Sequence, residues 1–249
     1  MTLEEENPHP RDSLIKFEEK GHKYTVEGVD GKFKSVTSLI HDFFPKFDSD
    51  KIIRKMMSSA DWEMSKYFDM SVEEIKDLWS SIASEANFLG TAMHADIENY
   101  INGLEVNDSS TIEFKYFLSY WKFLMSKSYT PYRTEWRIFD EIYLVAGSID
   151  FAMKDENGDI VLIDWKRYKE IKKTNKFEKG YPPFHKLDNC NYIHASIQLN
   201  IYKYILESRY DVKVSKMYIC VLHPNNVNYR SYPIKNINIG SVWSEITSQ

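Results

Sequence analysis

The stretch from Ile160 to Lys166 restricts the possible folds of this 249-residue chain more than any other. Three apolar residues in a row, at 161–163, indicate a strand that is buried on both faces. Asp164, Trp165 and Lys166 follow directly, and the two-residue period of a strand puts Asp164 and Lys166 on one face and Trp165 on the other. Because an unpaired charge at the end of a buried strand is costly, these residues predict an ion pair or a metal site.

The preceding strand of the sequence adds a second aspartate, Asp150, on the face that carries its small residues. A two-residue Asn-Gly turn would pair Asp150 with Trp165 and would put the two aspartates on opposite faces. A register shifted by one residue pairs Asp150 with Lys166 instead, and gathers Asp150, Asp164 and Lys166 on one face. We therefore predict a bulge or a loop of odd length at 156–160.

The two aspartates and the lysine predict a particular chemistry. Neighbouring carboxylates repel each other at neutral pH, and a bound cation removes that repulsion. Carboxylate oxygens are hard ligands that suit Mg²⁺ or Mn²⁺, with water in the remaining positions. Lys166 would orient or deprotonate an attacking water, or stabilise the charge that builds on a phosphate. Asp150, Asp164 and Lys166 therefore predict metal-assisted hydrolysis of a phosphodiester.

The rest of the chain reads as an α/β domain. The residue patterns predict a hairpin within 14–36, then helices, then three strands in the middle of the chain. A helix over 192–209, two further strands and a last helix near 238–247 complete a pattern that is typical of one α/β domain with a mixed sheet. Residues 1–13 are acidic and polar, and we expect them to be disordered, so that a single domain would occupy 14–249.

A series of motifs runs in a fixed order through residues 90–202. The motifs are Gly90-x-x-x-His94 on a helix, Glu135 on a strand, Gly147-x-x-Asp150, Asp164-Trp165-Lys166, and Gln198-x-x-x-Tyr202 on the helix that follows. In this order they resemble the PD-(D/E)XK nuclease superfamily, and most of all its branch of RecB-type nuclease domains and lambda-exonuclease-like viral enzymes. The order of the whole series is far more specific than any one motif.

The resemblance implies a restriction-endonuclease-like fold, in which helices flank a mixed β-sheet. Residues 14–89 would form a hairpin and helical elaboration, and residues 90–234 the catalytic core. The resemblance implies that Asp150, Asp164 and the backbone carbonyl of Trp165 bind a metal ion, and that His94 binds the same ion or a second one. Lys166 would be catalytic, and Glu135 would contact a metal ion or a water. Gln198 and Tyr202 would support the site and contact the substrate.

The activity implied by the resemblance is hydrolysis of DNA with one or two Mg²⁺ or Mn²⁺ ions. Exonuclease or flap processing in replication, recombination or repair is expected, on single- or double-stranded DNA with free ends or flaps. Some relatives carry a four-cysteine iron–sulfur cluster or a fused helicase. This chain has two cysteines, so no such cluster is expected. The alternatives are a catalytically silent nucleic-acid-binding module, against which the retained Asp150, Asp164 and Lys166 argue, and an RNA endonuclease of the same fold.

A basic segment, 167–189, follows the predicted catalytic lysine and holds seven lysines and arginines against three acidic residues. Such a segment is either a solvated loop or a surface for phosphates. The candidates for DNA contact are Arg167, Lys172, Lys173 and Lys176. Its aromatic residues, Phe177, Tyr181 and Phe184, would stack on unpaired bases or anchor the loop.

The net charge of −5 means that a nucleic-acid-binding role depends on a local basic patch. The N-terminal sequence has the features of neither a signal peptide nor a transit peptide, and no apolar run reaches 18 residues. We therefore expect a reducing intracellular compartment, cytoplasm or nucleus, including the host cell of a virus, and no membrane partner. No oligomer interface is evident in the sequence.

Overall fold

The computed structural model describes residues 1–240, 242 and 243. Its helices are α1 (Leu3–Glu6), α2 (Val36–Asp42), α3 (Ser49–Met57), α4 (Val72–Ile101), α5 (Ile112–Met125) and α6 (Asn191–Arg209). Its strands are β1 (Ile15–Glu18), β2 (Lys23–Val26), β3 (Lys34–Ser35), β4 (Thr130–Asp140), β5 (Val145–Lys154), β6 (Ile160–Lys166), β7 (Val214–Val221) and β8 (Arg230–Pro233). Half of the helix predicted near 238–247, residues 241 and 244–247, lies outside the described residues.

The strands form a small hairpin and a six-stranded mixed sheet. β1 and β2 pair antiparallel in the hairpin. In the larger sheet the order is β3-β5-β6-β7-β8, with β4 paired to β5 as well. The pairs β3–β5 and β6–β7 are parallel and the other pairs are antiparallel. The predicted α/β class with a mixed sheet flanked by helices is confirmed.

β5 is paired along its whole length on one edge but only in part on the other. β4 pairs with β5 from Val145 to Lys154 and therefore occupies one edge of it. β3 and β6 share the other edge, β3 at 145–146 and β6 at 151–154. Along that edge no strand of the described chain pairs with residues 147–150. The sheet thus has a gap beside β5, and Asp150 lies at its rim.

The loop between β5 and β6 has five residues, 155–159, so the predicted odd length is confirmed. The predicted partner of Asp150 is wrong, because Phe151 pairs with Ile163 and one further step would put Asp150 opposite Asp164 rather than Lys166. The reason is Asp155, whose carboxylate accepts hydrogen bonds from the backbone N–H groups at 157 and 159. The Asn-Gly pair therefore lies within a wider loop instead of forming a two-residue turn.

Two apolar cores cover the two faces of the sheet. On one face Trp165 packs against Phe117 and Tyr120 of α5 and against Phe151 of β5. On the other face α2 and α6 pack, with Ile197 and Ile201 fully or nearly fully buried. Trp165 therefore lies on the face opposite to the site, as the strand period predicts.

The chain divides into two compact units. The larger unit comprises Met1–Pro45 together with Met93–Gln249, and the smaller one is Lys46–Ala92. The hairpin predicted as part of an elaboration at 14–89 therefore belongs to the larger unit. Within the smaller unit, Asp48 caps α3 and Lys76 pairs with Asp50. None of the helices in the described part of the chain is both long and apolar enough to cross a membrane.

The N-terminal segment differs from the expected disorder at 1–13. Thr2 and Glu5 form a capping box on α1. Arg133 of β4 is only 2% exposed, and it donates hydrogen bonds to the carboxylate of Asp12 at 2.7 Å and to the carbonyl of Asn7 at 2.9 Å. A buried guanidinium requires such partners. The segment is therefore ordered by a buried charge on a strand far along the chain.

We predict that Asp12→Ala lowers the free energy of unfolding by about 3 kcal/mol, because it leaves the buried guanidinium of Arg133 with only the exposed carboxylate of Glu4, at 3.3 Å. It also removes the acceptor of the Trp136 indole N–H. Glu6→Ala, a change in an exposed residue of the same segment, should shift stability by no more than about 0.5 kcal/mol. Chemical denaturation measures both, and equal stabilities would show that the segment is not anchored in this way.

Candidate metal centre

The end of α4 and the strands β4, β5 and β6 bring together four of the predicted residues. Nε2 of His94 lies 3.0 Å from the carbonyl oxygen of Trp165. Nδ1 of His94 lies 3.7 Å from Oδ2 of Asp150 and 4.0 Å from Oε1 of Glu135. With its proton on Nε2, the imidazole donates to the Trp165 carbonyl and turns the lone pair of Nδ1 toward both carboxylates.

The Asp150 side chain binds a backbone group of β6 at the point where β5 and β6 separate. Its Oδ2 accepts a hydrogen bond of 2.8 Å from the backbone N–H of Trp165. This N–H lies beyond the last β5–β6 pair, which joins Phe151 to Ile163. A buried backbone donor requires a partner, so Asp150 is held at the gap by a backbone group of β6.

Glu135 has a strained backbone at the site. Its φ of 43° is in the left-handed region, although it lies within β4 between two residues that pair regularly with β5. A non-glycine residue in this conformation costs on the order of 1–3 kcal/mol, and such strain is concentrated at functional sites. Oε2 of Glu135 accepts a hydrogen bond of 2.8 Å from the hydroxyl of Ser148, which leaves Oε1 on the side of His94.

The residues present fit a divalent cation. One ligand atom each from His94, Glu135 and Asp150 lie within 4.8 Å of one another. Around a single Mg²⁺ with bonds of about 2.1 Å, neighbouring and opposite ligand atoms are about 3 to 4.2 Å apart, so small side-chain adjustments suffice. The two carboxylates are ligands that suit Mg²⁺ or Mn²⁺, and the imidazole nitrogen is a ligand that suits Mn²⁺.

Asp164 and Lys166 continue the site toward α6. Both carboxylate oxygens of Asp164 lie 2.9 Å from Nζ of Lys166, yet only Oδ1 accepts a hydrogen bond from it. Asp164 is 1% exposed, and its Oδ2 has no hydrogen-bond partner among the described residues. Nζ of Lys166 also lies 3.4 Å from Oε1 of Gln198, whose amide donates to the hydroxyl of Tyr202 at 3.1 Å. Polar contacts thus link the Asp164-Trp165-Lys166 motif to the Gln198-x-x-x-Tyr202 motif.

Burial and charge shift the pKa values of the central groups. Burial raises the pKa of Asp150 to about 7, with His94 opposing the rise and Asp164 adding to it. Burial alone would lower the pKa of Lys166, but the negative charges around it, Asp164 first, raise it above its ordinary value. Burial would likewise lower the pKa of His94, and the carboxylates of Asp150 and Glu135 raise it. Lys166 is therefore an ammonium at neutral pH.

The basic residues predicted to contact DNA are separate from this cluster. Arg167 donates to Glu113 at 2.7 Å, and both side chains are largely buried. Nζ of Lys173 lies over the rings of Tyr192 and Tyr232. Lys172 and Lys176 are exposed. Arg167 is thus engaged within the protein. Lys173 is exposed but lies against two rings, and Lys172 and Lys176 are exposed without such a contact among the described residues.

The sequence predicts no role for Ser148 and Tyr168, and helical spacing predicts that Glu98 lies on the same face as His94, near the site. Ser148 orients Glu135, and its place two residues before Asp150 on the same strand face was the available signal. Burial raises the pKa of Tyr168, which interacts electrostatically with Lys166. Burial and the charge of Glu135 raise the pKa of Glu98, one helical turn after His94.

Gly147 is required by the packing of Tyr202. A Cβ atom at this position would lie 2.6 Å from Cε1 and 2.9 Å from the hydroxyl of Tyr202. Contacts this short force the ring to move. Gly90 of the upstream motif differs, because a Cβ there would meet no atom within 4 Å among the described residues.

Comparisons with known proteins give little guidance. No protein-family model and no curated protein matches the chain. Among solved structures, one titled "Crystal structure of SSO0001" matches with 14% sequence identity over 89% of this chain and 77% of that chain, at a TM-score of 0.35. A likeness this weak carries no argument about fold or function.

We predict that Gly147→Ala destabilises the protein by roughly 1–3 kcal/mol, since the added methyl overlaps the Tyr202 ring. Gly147→Ala combined with Tyr202→Ala should cost less than the sum of the two single changes. Gly90→Ala is the control and should stabilise by up to about 1 kcal/mol, because it lies within a helix. Chemical denaturation of the four variants decides, and additive effects in the double variant would contradict the contact.

Proposed function

We propose that the chain is a metal-dependent DNA nuclease with a restriction-endonuclease-like fold, related to the PD-(D/E)XK superfamily. The observation that carries the proposal is the cluster of His94, Glu135 and Asp150 beside the Asp164–Lys166 pair at the gap between β5 and β6. Residues from distant parts of the sequence form one site that combines a cation's ligands with a fixed ammonium. That combination suits phosphodiester hydrolysis.

The candidate ligands of the metal are His94, Glu135 and Asp150, with Asp164 able to supply its Oδ2, which accepts no hydrogen bond from the described residues. A bound Mg²⁺ or Mn²⁺ would lower the pKa of a coordinated water and offset the charge of the scissile phosphate. The Trp165 carbonyl, expected as a ligand, is already the hydrogen-bond partner of His94 and would orient its imidazole.

Lys166 stabilises negative charge on the phosphate in this proposal. Its ammonium is fixed between Asp164 and Gln198, so it donates from a set position and needs no rearrangement during the reaction. Its raised pKa favours this role over deprotonation of water. Gln198 and Tyr202 act as positioning residues, because they hold the lysine and contact no metal ligand directly in the described hydrogen bonds.

The proposed substrate is DNA with free ends or flaps, and the proposed role is exonuclease processing in replication, recombination or repair. The order of motifs from His94 to Tyr202 supports this choice. The intact set of Asp150, Asp164 and Lys166 supports catalysis rather than a silent binding module.

The test is cleavage of end-labelled linear DNA, closed circular DNA and a matched RNA oligonucleotide, each with Mg²⁺, Mn²⁺ or EDTA. We expect metal-dependent shortening of the linear DNA only. Asp164→Ala and Lys166→Ala should each lower the rate at least about 100-fold, because each removes part of the charge arrangement around the phosphate. Lys122→Ala, in an exposed residue of α5, should leave the rate unchanged.

Three outcomes would contradict parts of the proposal. DNA binding without cleavage in any metal would indicate the silent module. Cleavage of RNA alone would indicate the RNA endonuclease. Cleavage that survives both Asp164→Ala and Lys166→Ala would show that the site lies elsewhere.

A further inference from the structure

A groove leads away from Lys166 along the start of α6. Its inner part is a cavity of about 170 Å³ lined by Lys166, Gln198 and His41 among others. Its outer part is a cavity of about 680 Å³ that reaches the basic segment. Both cavities are lined by Asn191 and His194, so they adjoin at these residues, and together they are called the groove.

The outer part of the groove carries uncompensated positive charge. Lys172 and Lys176 line it and are exposed, and neither forms an ion pair with any described residue. Two of the three acidic residues of the segment, Asp188 and Glu178, are engaged within it. Asp188 pairs with Lys179 at 3.2 Å, and Glu178 accepts a hydrogen bond from the Asn189 amide at 3.0 Å. Two free ammonium groups beside a groove suit the phosphates of a nucleic-acid backbone.

The groove also offers an aromatic ring at its rim. Phe177 lines the outer cavity and is 93% exposed. Its position is nonetheless defined, because its backbone N–H donates to the Asn175 side chain at 3.0 Å, and Asn175 in turn donates to the backbone carbonyl of Asn189 at 2.8 Å. An exposed ring on a held backbone is a surface on which an unpaired base stacks.

His194 adds an unused polar atom where the two cavities meet. Its Nε2 is buried and has no hydrogen-bond partner among the described residues. Burial, with a smaller contribution from His41, lowers the pKa of His194 to about 4, so its ring is neutral at pH 7. The ring therefore adds no charge where the two cavities meet.

The basic segment, part of which lines the outer cavity, is anchored to the protein without a ligand. Phe184 of the basic segment is buried against Phe43 and Phe44, so it anchors the segment rather than facing solvent. The backbone N–H of Tyr181 donates to the Phe43 carbonyl at 2.7 Å. Little ordering is therefore needed when a strand binds.

We propose that this groove binds an unpaired strand of nucleic acid and guides its end to Lys166. Lys172 and Lys176 contact phosphates, and Phe177 stacks on a base. The inner cavity, about 170 Å³, is smaller than the roughly 300–1,000 Å³ of pockets that hold drug-sized molecules, so it has room for a single base or a phosphate and excludes a base pair. The inference rests on the proposed nuclease function and deepens it by assigning a single-stranded substrate.

The test measures binding in EDTA by fluorescence anisotropy, so that it does not depend on cleavage. The probes are labelled dT12, rU12 and a blunt 12-base-pair duplex. We expect dT12 to bind more tightly than the duplex, and Phe177→Ala to weaken dT12 binding about tenfold. Lys172→Ala with Lys176→Ala should lower the slope of log affinity against log salt by about 1.4, at about 0.7 per phosphate contact.

The controls are Lys122→Ala and Phe88→Ala, an exposed lysine and an exposed phenylalanine outside the groove. Both should bind dT12 as the unaltered protein does. Binding of rU12 that also depends on Phe177 would support the groove and assign RNA to it. Equal affinity for duplex and single strand, or no effect of the groove variants, would overturn the proposal.

The two proposals fail separately. If Asp164→Ala abolishes cleavage while the groove variants bind dT12 normally, the groove proposal is wrong and the nuclease proposal stands. If the groove variants weaken dT12 binding and no metal supports cleavage, the nuclease proposal is wrong and the groove remains a single-strand binding site.

Discussion

The structure depends on charges placed at the end of a fully buried strand. β6 has β7 along its whole length on one edge, but its pairing with β5 stops at Ile163. Asp164 and Lys166 follow that point and form an ion pair in an environment where a lone charge is strongly disfavoured. The backbone N–H that the ladder leaves unpaired is taken by Asp150. The polar site thus lies where the pairing between β5 and β6 ends.

The residues around the gap fix the positions of its polar side chains. Glu135 adopts a left-handed backbone conformation within a strand, and Ser148 fixes the direction of its carboxylate. Gly147 leaves room for the Tyr202 ring, whose hydroxyl accepts a hydrogen bond from the amide that contacts Lys166. Each is a local cost or constraint that a purely structural sheet would avoid. Their concentration around one gap is the physical reason for considering it a functional site.

Much of this could be predicted from the sequence, because periodicity acts locally. The strand period correctly put Trp165 in one core and Asp164 with Lys166 on the other face. The exact register could not be predicted, since it depends on how the Asp155 side chain organises the loop. The N-terminal segment is ordered, although disorder was predicted from the sequence. Its ordering depends on Arg133, a residue more than a hundred positions away.

The pairing of Arg167 with Glu113 was missed for the same reason, because tertiary contacts between distant segments leave no periodic signal. The groove beside α6 likewise arises from cavities between distant segments. Only its basic composition was visible in the sequence.

The most direct measurement of the central claim is Mn²⁺ binding, followed by electron paramagnetic resonance of the free ion. We predict saturable binding that His94→Ala and Asp150→Asn each weaken at least about tenfold, because the first removes a ligand and the second removes the negative charge of one. Asp108→Asn, in an exposed carboxylate outside the site, should bind Mn²⁺ normally. Equal Mn²⁺ affinity in all four proteins would show that His94 and Asp150 hold no metal, and would contradict the account.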